Sequence, residues 1–526
     1  MKRTKIKFAI AFLMATSTSS IFAQRLDLNE RRFFTDNIPN DSISVKSLTG
    51  GKNTRDSNIL NELIDKTSKK GGGTIYLLPH NGKSVFYLNQ VHLKSNIHLK
   101  IDPRVTIENL IVSSNTTVFN VGDTGLVENV AITSTKENSR KKIDAFKARL
   151  EGDVDRGVSL IALRYVKNFK ISGIDIIDDY TKFNNIVMNL PKSRNKRHIA
   201  TGGIVQNIYT INNHVGYGAV QTQSAKTVLF KNINCTGGIT LRIETGSGQI
   251  SVNNIETVDD IVAKGITSTN GLSAVDLSPH RVNQGQVDIS GITSIGSTYA
   301  VIISGGFKDR KEKGSIDNLG TFSDKSYIQI SKVVGGNLAQ VKGKDFQFYN
   351  CNTSAELKKR AKSNEDEEST HGTSIAVVRD SADPDNSCTS VGSKARGCYK
   401  PTVVLPELSN ITGTFERSGR SKKVVYDGDK VRGCNRTSLA ISRKSEVSSN
   451  TEESVSSFSI SQNRTLGVVN VKGAKSKIIV YGIAGQVIME LKPTKNNNVI
   501  QLDVSKLDKG VYLISDGTQT KKFIHF

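Results

Sequence analysis

The sequence predicts an all-β fold, a parallel β-helix, from three observations. A short strand pattern recurs through the middle of the chain, one amphipathic helix precedes it, and the two-residue turns typical of β-hairpins do not occur between the repeats. A competing β-sandwich would need such turns, so stacked coils are the favoured architecture. The length of 526 residues suffices for one large domain with accessory parts.

The first 23 residues have the pattern of a signal peptide. A basic stretch is followed by the apolar run Phe8–Met14 and by small residues that end at Ala23. The apolar run is too short to span a bilayer, and no later segment approaches twenty apolar residues. We therefore expect cleavage after residue 23 and a secreted protein with no membrane span.

The composition indicates an acidic partner. The formal net charge is +23, which is typical of proteins that bind nucleic acid or an anionic substrate, although a solvated basic surface is the simpler alternative. Tryptophan is absent and aromatic residues make up 6% of the chain, which leaves little material for stacking on bases. Export and composition together argue against nucleic acid as the partner.

The cysteines predict one short disulfide loop and no zinc site. The five cysteines are Cys235, Cys351, Cys388, Cys398 and Cys434, and none forms a C-x-x-C pair. In an oxidising compartment Cys388 and Cys398 could close a ten-residue loop. Because the number of cysteines is odd, at least one thiol stays free or pairs elsewhere, and Cys235 is interpreted as a small buried residue.

The predicted helix stands where the first coil of a β-helix would be open. Residues 58–67 have apolar side chains at helical spacing, namely Ile59, Leu60, Leu63 and Ile64. Glycines 71–73 end the helix, and Thr74–Pro79 reads as a strand. This order resembles the N-terminal part of pectin-lyase-like proteins. The resemblance implies a right-handed parallel β-helix whose helix covers an otherwise aggregation-prone edge.

A six-residue strand pattern recurs between residues 120 and 350. Each copy has alternating apolar residues, a Gly, Asn or Lys at a bend, and one more β-branched residue. The copies are Phe169–Ile174, Val228–Ile233, Ile250–Ile255, Val287–Ile292 and, more weakly, Ile328–Val333. They are 59, 22, 37 and 41 residues apart, as coils with inserted loops would be. Asn and Gly suit the bends because both tolerate left-handed backbone angles.

The pattern gives the domain organisation. We predict a β-helix domain over residues 24–440, which includes an inserted loop domain at 352–400 where basic, acidic and turn-forming stretches replace the repeats. A Ser-rich linker follows at 441–457, and residues 458–526 form a separate small β-sandwich.

The last segment resembles a secretion sorting domain. Ile478–Val487 contains a V-Y-x-x-x-G-x-V motif, and Leu507–Ile514 contains L-x-x-G-V-Y-L-I, in the order typical of cargo of the type IX secretion system. This resemblance implies the type IX machinery as a partner and an extracellular or cell-surface location. The alternative interpretation is a small carbohydrate-binding β-sandwich.

One strand presents two charged residues side by side. In Gly238–Thr245 the alternation points Leu241 and Ile243 inward, and leaves Arg242 and Glu244 on the outer face. A surface ion pair on an ordinary strand would look the same. A ligand groove on an outer sheet face of a β-helix also needs outward polar side chains on neighbouring strands.

Two neighbouring segments supply such side chains. Gln221 lies 23 residues before Glu244, about one coil earlier. In Val275–His280 the alternation points Asp276, Ser278 and His280 outward. Taken alone, His280 is more often a hydrogen-bonded surface histidine than a catalytic group.

These segments together resemble iota-carrageenases of glycoside hydrolase family 82. The resemblance covers roughly residues 45–350 and is carried by G-A-V-Q around Gln221, the L-R-I-E-T strand and L-S-P-H at His280. It implies an endo-acting hydrolase that cuts β-1,4 bonds of a sulfated galactan with inversion. It places Glu244 as general acid, Gln221 and His280 as supporting polar residues, and Arg242 as a substrate contact.

The sequence departs from the family at the position of the catalytic base. The family has an aspartate two residues after the acid, where this chain has Gly246. Glycine cannot activate water, so the base lies elsewhere or the activity is altered. Asp276 is the first predicted substitute and His280 the second, followed by Asp309 or Glu312. Arg242 is expected to lower the pKa of Glu244, so a working acid needs another carboxylate nearby or burial by substrate.

A basic loop offers a role for the positive charge. It holds Lys192, Arg194, Lys196, Arg197 and His198. Arginine forks suit sulfate esters as they suit phosphates, so Arg194 and Arg197 are predicted substrate-binding residues. A solvated loop is the alternative. We expect no required cofactor and a monomer. The resemblance allows a structural calcium or sodium ion, but no acidic loop identifies a metal site.

Three other functions stay open at this point. A β-helix polysaccharide lyase would need a Lys, Arg or His base, and its products would absorb ultraviolet light. A carrageenan-binding relative without activity is supported by Gly246. An enzyme for a differently sulfated carrageenan would keep the same groove. Fold analogy alone does not choose among them.

Overall fold

The computed structural model describes most of the chain in two compact units, one within Met1–Lys430 and the other within Val431–Phe526. The described residues are 25–152, 156–246, 250, 254–308, 319–364, 367–391, 395–416, 423–431, 434, 459–463, 468–472, 477–482, 486–491, 499–504, 507–508, 510–517 and 520–525. The predicted signal peptide and Ser-rich linker, and the candidate bases Asp309 and Glu312, lie outside them.

The larger unit is built mainly of short parallel strands. Before residue 200 its elements are β1 Ser42–Ser44, α1 Arg55–Lys69, β2 Gly73–Leu77, β3 Val85–Leu88, β4 Val91–Leu93, β5 Ile97–Ile101, β6 Thr106–Asn109, β7 Thr116–Val121, β8 Val127–Ser134, β9 Phe146–Leu150, β10 Val158–Leu163, β11 Val166–Asp178 and β12 Ile186–Met188. Short 3-10 turns lie at Glu30–Arg32 and Lys142–Asp144.

The elements after residue 200 include two long strands that bend around the coil. They are β13 Ala200–Thr222, β14 Ala225–Glu244, β15 Val258–Thr269, β16 Ser273–Ser278, β17 Val287–Ile295, β18 Val301–Ile303, β19 Tyr327–Gly335, β20 Ala339–Lys342, α2 Cys351–Arg360, β21 Lys362–Asn364, β22 Glu367–Gly372, β23 Val378–Asp380, β24 Thr402–Val404, β25 Ile411–Gly413 and β26 Val424–Tyr426, with 3-10 turns at Gly343–Phe348, Leu408–Asn410 and Asp427–Asp429.

Among the described residues, all of these strands except β20–β22 join in one 23-stranded sheet whose neighbours pair in parallel. Each strand pairs with one a coil away, so the chain winds around a single apolar core. The architecture is the predicted parallel β-helix. Inward side chains from successive coils stack in rows, which removes them from water and supplies the main stabilising term.

Asn and Gly occupy the bends, as predicted. Two rows of stacked positions have positive φ and turn the chain between sheet faces. They are Asn168, Gly202, Thr227 and Asp260 in one row, and Gly173, Asn207, Asn232, Gly265 and Gly291 in the other. Side-chain amides bond from coil to coil: Asn168 Nδ2 donates to Asn129 Oδ1 at 2.8 Å. The left-handed angle favours Gly, Asn and Asp, so the β-branched Thr227 is the exception in these rows, and the amide ladder satisfies the polar groups of the Asn side chains.

The register corrects one predicted repeat and adds two. Phe169 pairs with Gly203, Gly203 with Val228, Val228 with Ile261, and Ile261 with Val287. The predicted copy at Ile250–Ile255 is therefore wrong, and the strand of that coil is β15. Ile250 instead packs with Leu190, Ile199 and Val282 in a separate apolar cluster.

The repeat at Gly203 is hidden in the sequence because its first residue has no side chain. A Cβ at residue 203 would lie 2.1 Å from Cζ of Phe169, so the phenyl ring fills the inward space of both coils. One large ring against one glycine keeps the core filled at constant volume.

Helix α1 covers the N-terminal end of the coil, as predicted. Leu60 and Ile64 are fully buried in the same core as the first strands, whereas the opposite side of the helix is exposed. Glycines 71–73 follow with positive φ and lead the chain into β2. The apolar stripe on α1 thus removes the open end of the core from water.

The region predicted as a loop insertion holds regular structure. Strands β20, β22 and β21 form a small antiparallel sheet, and α2 packs beside it. These elements cover outward apolar side chains of the β-helix, among them Ile239, Tyr299 and Ile302. The chain then returns to the large sheet at β23. Cys388 and Cys398 form the predicted disulfide, and Cys235 is a buried free thiol.

A buried ion pair fastens this cover to the β-helix. Asp345 is fully buried, accepts from Arg379 Nη1 at 2.8 Å and from the Tyr299 hydroxyl at 3.3 Å. Replacing Asp345 with alanine leaves the buried Arg379 guanidinium without its carboxylate. We expect the change to lower the free energy of unfolding by about 3–5 kcal/mol.

Chemical denaturation followed by circular dichroism measures this loss. Asp385→Ala is the matched control, because Asp385 is exposed and pairs with the exposed Lys400, so its loss should change stability by about 0.5 kcal/mol or less. Equal stabilities of the two variants would show that the cover does not depend on the buried pair.

The second unit is the predicted small β-sandwich. Its strands are β27 Ser459–Asn463, β28 Val468–Lys472, β29 Ile478–Gly482, β30 Val487–Leu491, β31 Val499–Asp503, β32 Gly510–Ser515 and β33 Thr520–His525. They form a three-stranded and a four-stranded antiparallel sheet. Both sheets contribute to one apolar cluster that includes Val471, Val480 and Ile514.

Candidate active site

One row of outward positions crosses the sheet that carries the predicted site. It runs over β4, β7, β10, β12, the last parts of β13 and β14, β16, β18 and β23. In register, its members are His92, Asn120, Ala162, Val187, Gln221, Arg242, Asp276, Ile302 and Arg379. Three predicted site residues, Gln221, Arg242 and Asp276, are therefore direct neighbours on successive coils.

Glu244 lies two residues beyond Arg242 on β14 and is surrounded by donors. Gln221 Nε2 donates to its Oε2 at 3.1 Å, and His280 Nε2 lies 3.0 Å from its Oε1. Arg242 Nε forms an ion pair with the same Oε2. The side chain of Glu244 is only 12% exposed. The structure thus brings three of the predicted residues, Gln221, Arg242 and His280, around the carboxylate of a fourth, Glu244.

An amide relay orients Gln221. Asn184 Nδ2 donates to Gln221 Oε1 at 2.9 Å, which leaves Gln221 Nε2 directed at Glu244. Arg242 is fixed similarly, because its Nη1 donates to the Gly216 carbonyl at 2.7 Å. Both groups therefore meet Glu244 in a prearranged geometry.

The surroundings keep Glu244 ionised. Burial acts to raise the pKa of Glu244, but the charge of Arg242, the hydrogen bond with His280 and the charge of Lys342 outweigh burial, so the pKa lies well below its ordinary value. The lowering by Arg242 that the sequence predicted is thus present. A carboxylate held in this way can become an acid only if a bound molecule changes its electrostatics.

Asp276 experiences the opposite environment. Burial and the negative charge of Glu244 raise its pKa, against the charges of Arg242, Lys344 and Lys342. Its Oδ1 is buried and has no hydrogen-bond partner among the described residues. Asp276 pairs with Arg242 while Glu244 pairs with Ser278, so the two acids are diagonal neighbours. Strand spacing and rise place their Cα atoms about 8 Å apart.

His280 occupies the space that a side chain at residue 246 would need. A Cβ at Gly246 would lie 2.7 Å from both Cε1 and Nε2 of His280, and 3.2 Å from Glu244 Oε1. His280 is buried, with positive φ, and its ring lies 4.3 Å from that of Phe307. The interpretation of His280 as a surface histidine is therefore wrong, because the turn after β16 points its ring back at Glu244.

The two predicted arginines of the basic loop lie in different places. Arg194 lines a cavity on the site's sheet face, whereas Arg197 is exposed and is not part of that lining. The loop itself is anchored: Lys196 Nζ donates to the Ile250 carbonyl at 2.7 Å, and His198 stacks on Tyr165 at 4.0 Å. A freely solvated loop would lack these contacts.

Three contributors were missed from the sequence. Asn184 lies just before a three-residue strand, Lys342 belongs to the cover, and Tyr217 lies under Arg242 with the guanidinium 5.7 Å from its ring centroid. Strand periodicity did not identify them, because Asn184 and Tyr217 approach from neighbouring coils and Lys342 from the cover. Among the described residues there is no group of three or more His, Cys, Asp or Glu side chains able to hold a metal ion.

These features define a class: a parallel β-helix with a buried pair of acids, an arginine and a histidine on an outer sheet face. The chain is 34% identical over 279 residues to an iota-carrageenase of Zobellia galactanivorans, covering 52% of this chain and 54% of that protein. It is 29% identical over 269 residues to an iota-carrageenase of Alteromonas macleodii, covering 51% and 53%. The chain therefore spans about half the length of these curated relatives in each match.

Solved structures agree with the fold. An iota-carrageenase complexed to iota-carrageenan fragments has a TM-score of 0.60 at 20% identity, covering 77% of this chain and 98% of that one. A family GH82 iota-carrageenase from A. fortis gives the same TM-score and identity, covering 77% and 96%. The resemblance to iota-carrageenases indicated by the motifs is thus confirmed, and so is the β-helix fold.

The C-terminal unit matches the family described as "Secretion system C-terminal sorting domain" over residues 456–525. This confirms the sorting domain predicted from the tail motifs, and with it a secreted or cell-surface location. In the described part of the chain, every helix is too short or too polar to cross a membrane.

Proposed function

We propose that the β-helix unit is an endo-acting glycoside hydrolase that cleaves β-1,4 linkages of iota-carrageenan with inversion. The observation that carries the proposal is the diagonal pair Glu244 and Asp276, with Gln221, Arg242 and His280 around the first acid. Inverting hydrolysis needs two carboxyl groups roughly 6.5–9.5 Å apart, which leaves room for a water molecule. The register places the Cα atoms of the two acids about 8 Å apart on one sheet face, so their side chains can reach a carboxyl separation in that range.

The electrostatics suggest how Glu244 becomes an acid. A sulfate ester of the bound chain would attract Arg242, as arginine forks bind such groups well. Arg242 would then hold Glu244 less strongly, and the sulfate would add a like charge nearby. Both effects raise the pKa of Glu244, so the carboxylate takes up a proton when an anionic chain binds.

The protonated Glu244 then acts as general acid. It donates its proton to the glycosidic oxygen as the bond to the anomeric carbon breaks. Asp276, now next to a neutral Glu244, is more readily ionised because its like-charged neighbour is gone. Asp276 removes a proton from water as the water oxygen bonds to the opposite face of that carbon. The product has the inverted configuration.

A non-catalytic carrageenan-binding protein is the second candidate, and Gly246 favours it. The side chain that acts as base in the family is missing, and His280 fills its space. In this alternative the donors around Glu244 position a chain without cleaving it.

Incubation of the purified protein with iota-, kappa- and lambda-carrageenan and alginate separates the candidates. Reducing ends from iota-carrageenan without new ultraviolet absorbance support the hydrolase. Absorbance from a new double bond would indicate a lyase and contradict the proposal. Binding without release of reducing ends would favour the non-catalytic protein.

Gly246→Ala is expected to lower kcat/KM on iota-carrageenan about tenfold to a hundredfold. The added methyl group forces the His280 ring away from Glu244, and a hydrogen bond to a charged group contributes about 1.5–3 kcal/mol. His280 is buried beside Phe307, so moving its ring is also expected to lower the melting temperature, which is measured in parallel.

The matched control is Gly125→Ala, because a Cβ at residue 125 meets nothing within 4 Å. Initial rates of the two variants and the parent, with melting temperatures as a check on folding, decide the outcome. If Gly246→Ala is as active as Gly125→Ala, contact between His280 and Glu244 has no part in the reaction.

A further inference from the structure

A cavity of about 420 Å³ lies on the site's sheet face, toward the N-terminal coils. Asn120 of β7 belongs to its lining and also to the outward row that contains Gln221 and Arg242. Three strand spacings separate Asn120 from Gln221 and four separate it from Arg242, or about 14 and 19 Å at ~4.8 Å each. A polysaccharide that crosses the strands at Glu244 would reach the cavity several sugars away.

The cavity has an excess of positive charge. Its lining contains the cations Arg164, Lys192 and Arg194 against the single carboxylate Asp123. Asp123 is 6% exposed and forms ion pairs with Arg164, at 3.3 Å from Nη1, and with Lys192, at 3.0 Å from Nζ. One carboxylate cannot balance three cations, so the lining keeps two formal positive charges for an anionic ligand.

Of the two arginines in the lining, Arg164 is held in place for such a ligand. Arg164 is largely buried, and its Nη1 also donates to Asn120 Oδ1 at 3.0 Å. Asn120 in turn donates from Nδ2 to Gln90 Oε1 at 3.3 Å. A guanidinium prearranged by a carboxylate and an amide loses little conformational entropy when it binds a planar or tetrahedral anion.

The lining also has groups suited to a sugar ring. Asn189 Oδ1 is buried without a hydrogen-bond partner among the described residues, so it can accept from a sugar hydroxyl. Phe183 offers an apolar face, and its ring lies 6.3 Å from that of Tyr217, the residue under Arg242. Aromatic side chains therefore connect the cavity with the acid pair.

We propose that this cavity is a distal subsite that binds a sulfated sugar of the chain being cleaved, with Lys192 and Arg194 as sulfate contacts. The inference rests on the proposed function for the choice of polymer, and it adds where along the chain a second anionic unit is held. A distal charge contact makes long chains bind more tightly than short ones, because a short oligosaccharide at Glu244 does not reach the cavity.

Binding of oligosaccharides of two lengths tests the subsite. The protein carries Glu244→Gln so that the ligand stays intact, and calorimetry at low salt gives Kd for an iota-carrageenan disaccharide and octasaccharide. Adding Lys192→Ala and Arg194→Ala should raise the octasaccharide Kd about tenfold or more, since each charged hydrogen bond contributes measurably. The disaccharide Kd should stay unchanged. Both side chains are exposed, but Lys192 pairs with the buried Asp123, so melting temperatures check the folding of the variant.

The matched control removes two exposed lysines of α1, Lys66→Ala and Lys69→Ala, which lowers the net charge equally. An equal loss in this control would mean general electrostatic attraction and would overturn the subsite. An unchanged octasaccharide Kd in the cavity variant, or no octasaccharide binding by the parent, would overturn it too. A desulfated octasaccharide should bind both variants alike.

A separate assay measures hydrolysis by the protein without substitutions, as the release of reducing ends. Intact hydrolysis with no length-dependent binding loss overturns the subsite alone. A length-dependent loss without hydrolysis supports the subsite and overturns only the proposed hydrolase.

Discussion

Replacing Glu244 with glutamine is expected to reduce release of reducing ends from iota-carrageenan about a hundredfold to ten-thousandfold, the usual contribution of a general acid. Glutamine keeps the shape of the side chain and can still accept from Gln221 or His280, but it has no acidic proton to give to the leaving oxygen. Initial rates at saturating substrate measure the loss, and binding of the polymer should persist.

Glu256→Gln is the matched control, because Glu256 is partly exposed and pairs with Lys226 away from the site. Its rate should equal that of the parent. A second readout is proton uptake, which a structural role for Glu244 would not produce. In Asp276→Asn protein, which should leave the polymer intact, binding should take up protons near neutral pH, by less than one per site because the negative neighbour of Glu244 is lost, and the added Glu244→Gln should abolish that uptake. A fully active Glu244→Gln variant would exclude Glu244 as acid.

Replacing Asp276 with asparagine is expected to lower kcat about a hundredfold or more, because no other group would accept the proton of the attacking water. The substitution also removes the negative neighbour that helps to keep a proton on Glu244 once substrate is bound. KM should change little, since Arg242 and Gln221 remain in place. Initial rates over a range of substrate concentrations separate the two constants.

Asp65→Asn serves as the control for this change, because Asp65 is an exposed acid on α1 that faces Lys94. His280→Gln tests the second candidate base in parallel. If Asp276→Asn keeps its activity while His280→Gln loses it, the proton goes to His280 and the diagonal pair is not the catalytic pair.

The fold could be predicted from the sequence because every coil of a β-helix requires the same pattern of apolar, polar and bend residues. The apolar stripe of α1, the Asn and Gly residues at bends and the alternating strands each indicate the same architecture. The register could not be derived where glycine hides the pattern. Gly203 shares its inward space with Phe169, and Ile250, which begins a strand-like run in the sequence, belongs to a different apolar cluster.

The candidate site was predictable where alternation on one strand places its members. Arg242 and Glu244 are two residues apart on β14, and the register brings Gln221 and Asp276 beside Arg242. Asn184 and Lys342 escaped prediction because they approach from other coils and from the cover. His280 has a positive φ in the turn after β16, where its ring points back at Glu244, and the residue type does not indicate this conformation.

The most direct test of the diagonal acid pair is the configuration of the first product, followed by proton NMR while the protein without substitutions cleaves iota-carrageenan. Hydrolysis of a β-1,4 bond by Glu244 and Asp276 with a water between them predicts that α-anomeric reducing ends appear first and then equilibrate. Early β-anomeric ends would indicate a covalent, retaining route, and signals of an unsaturated sugar would indicate elimination. Either result would contradict the pair as acid and base.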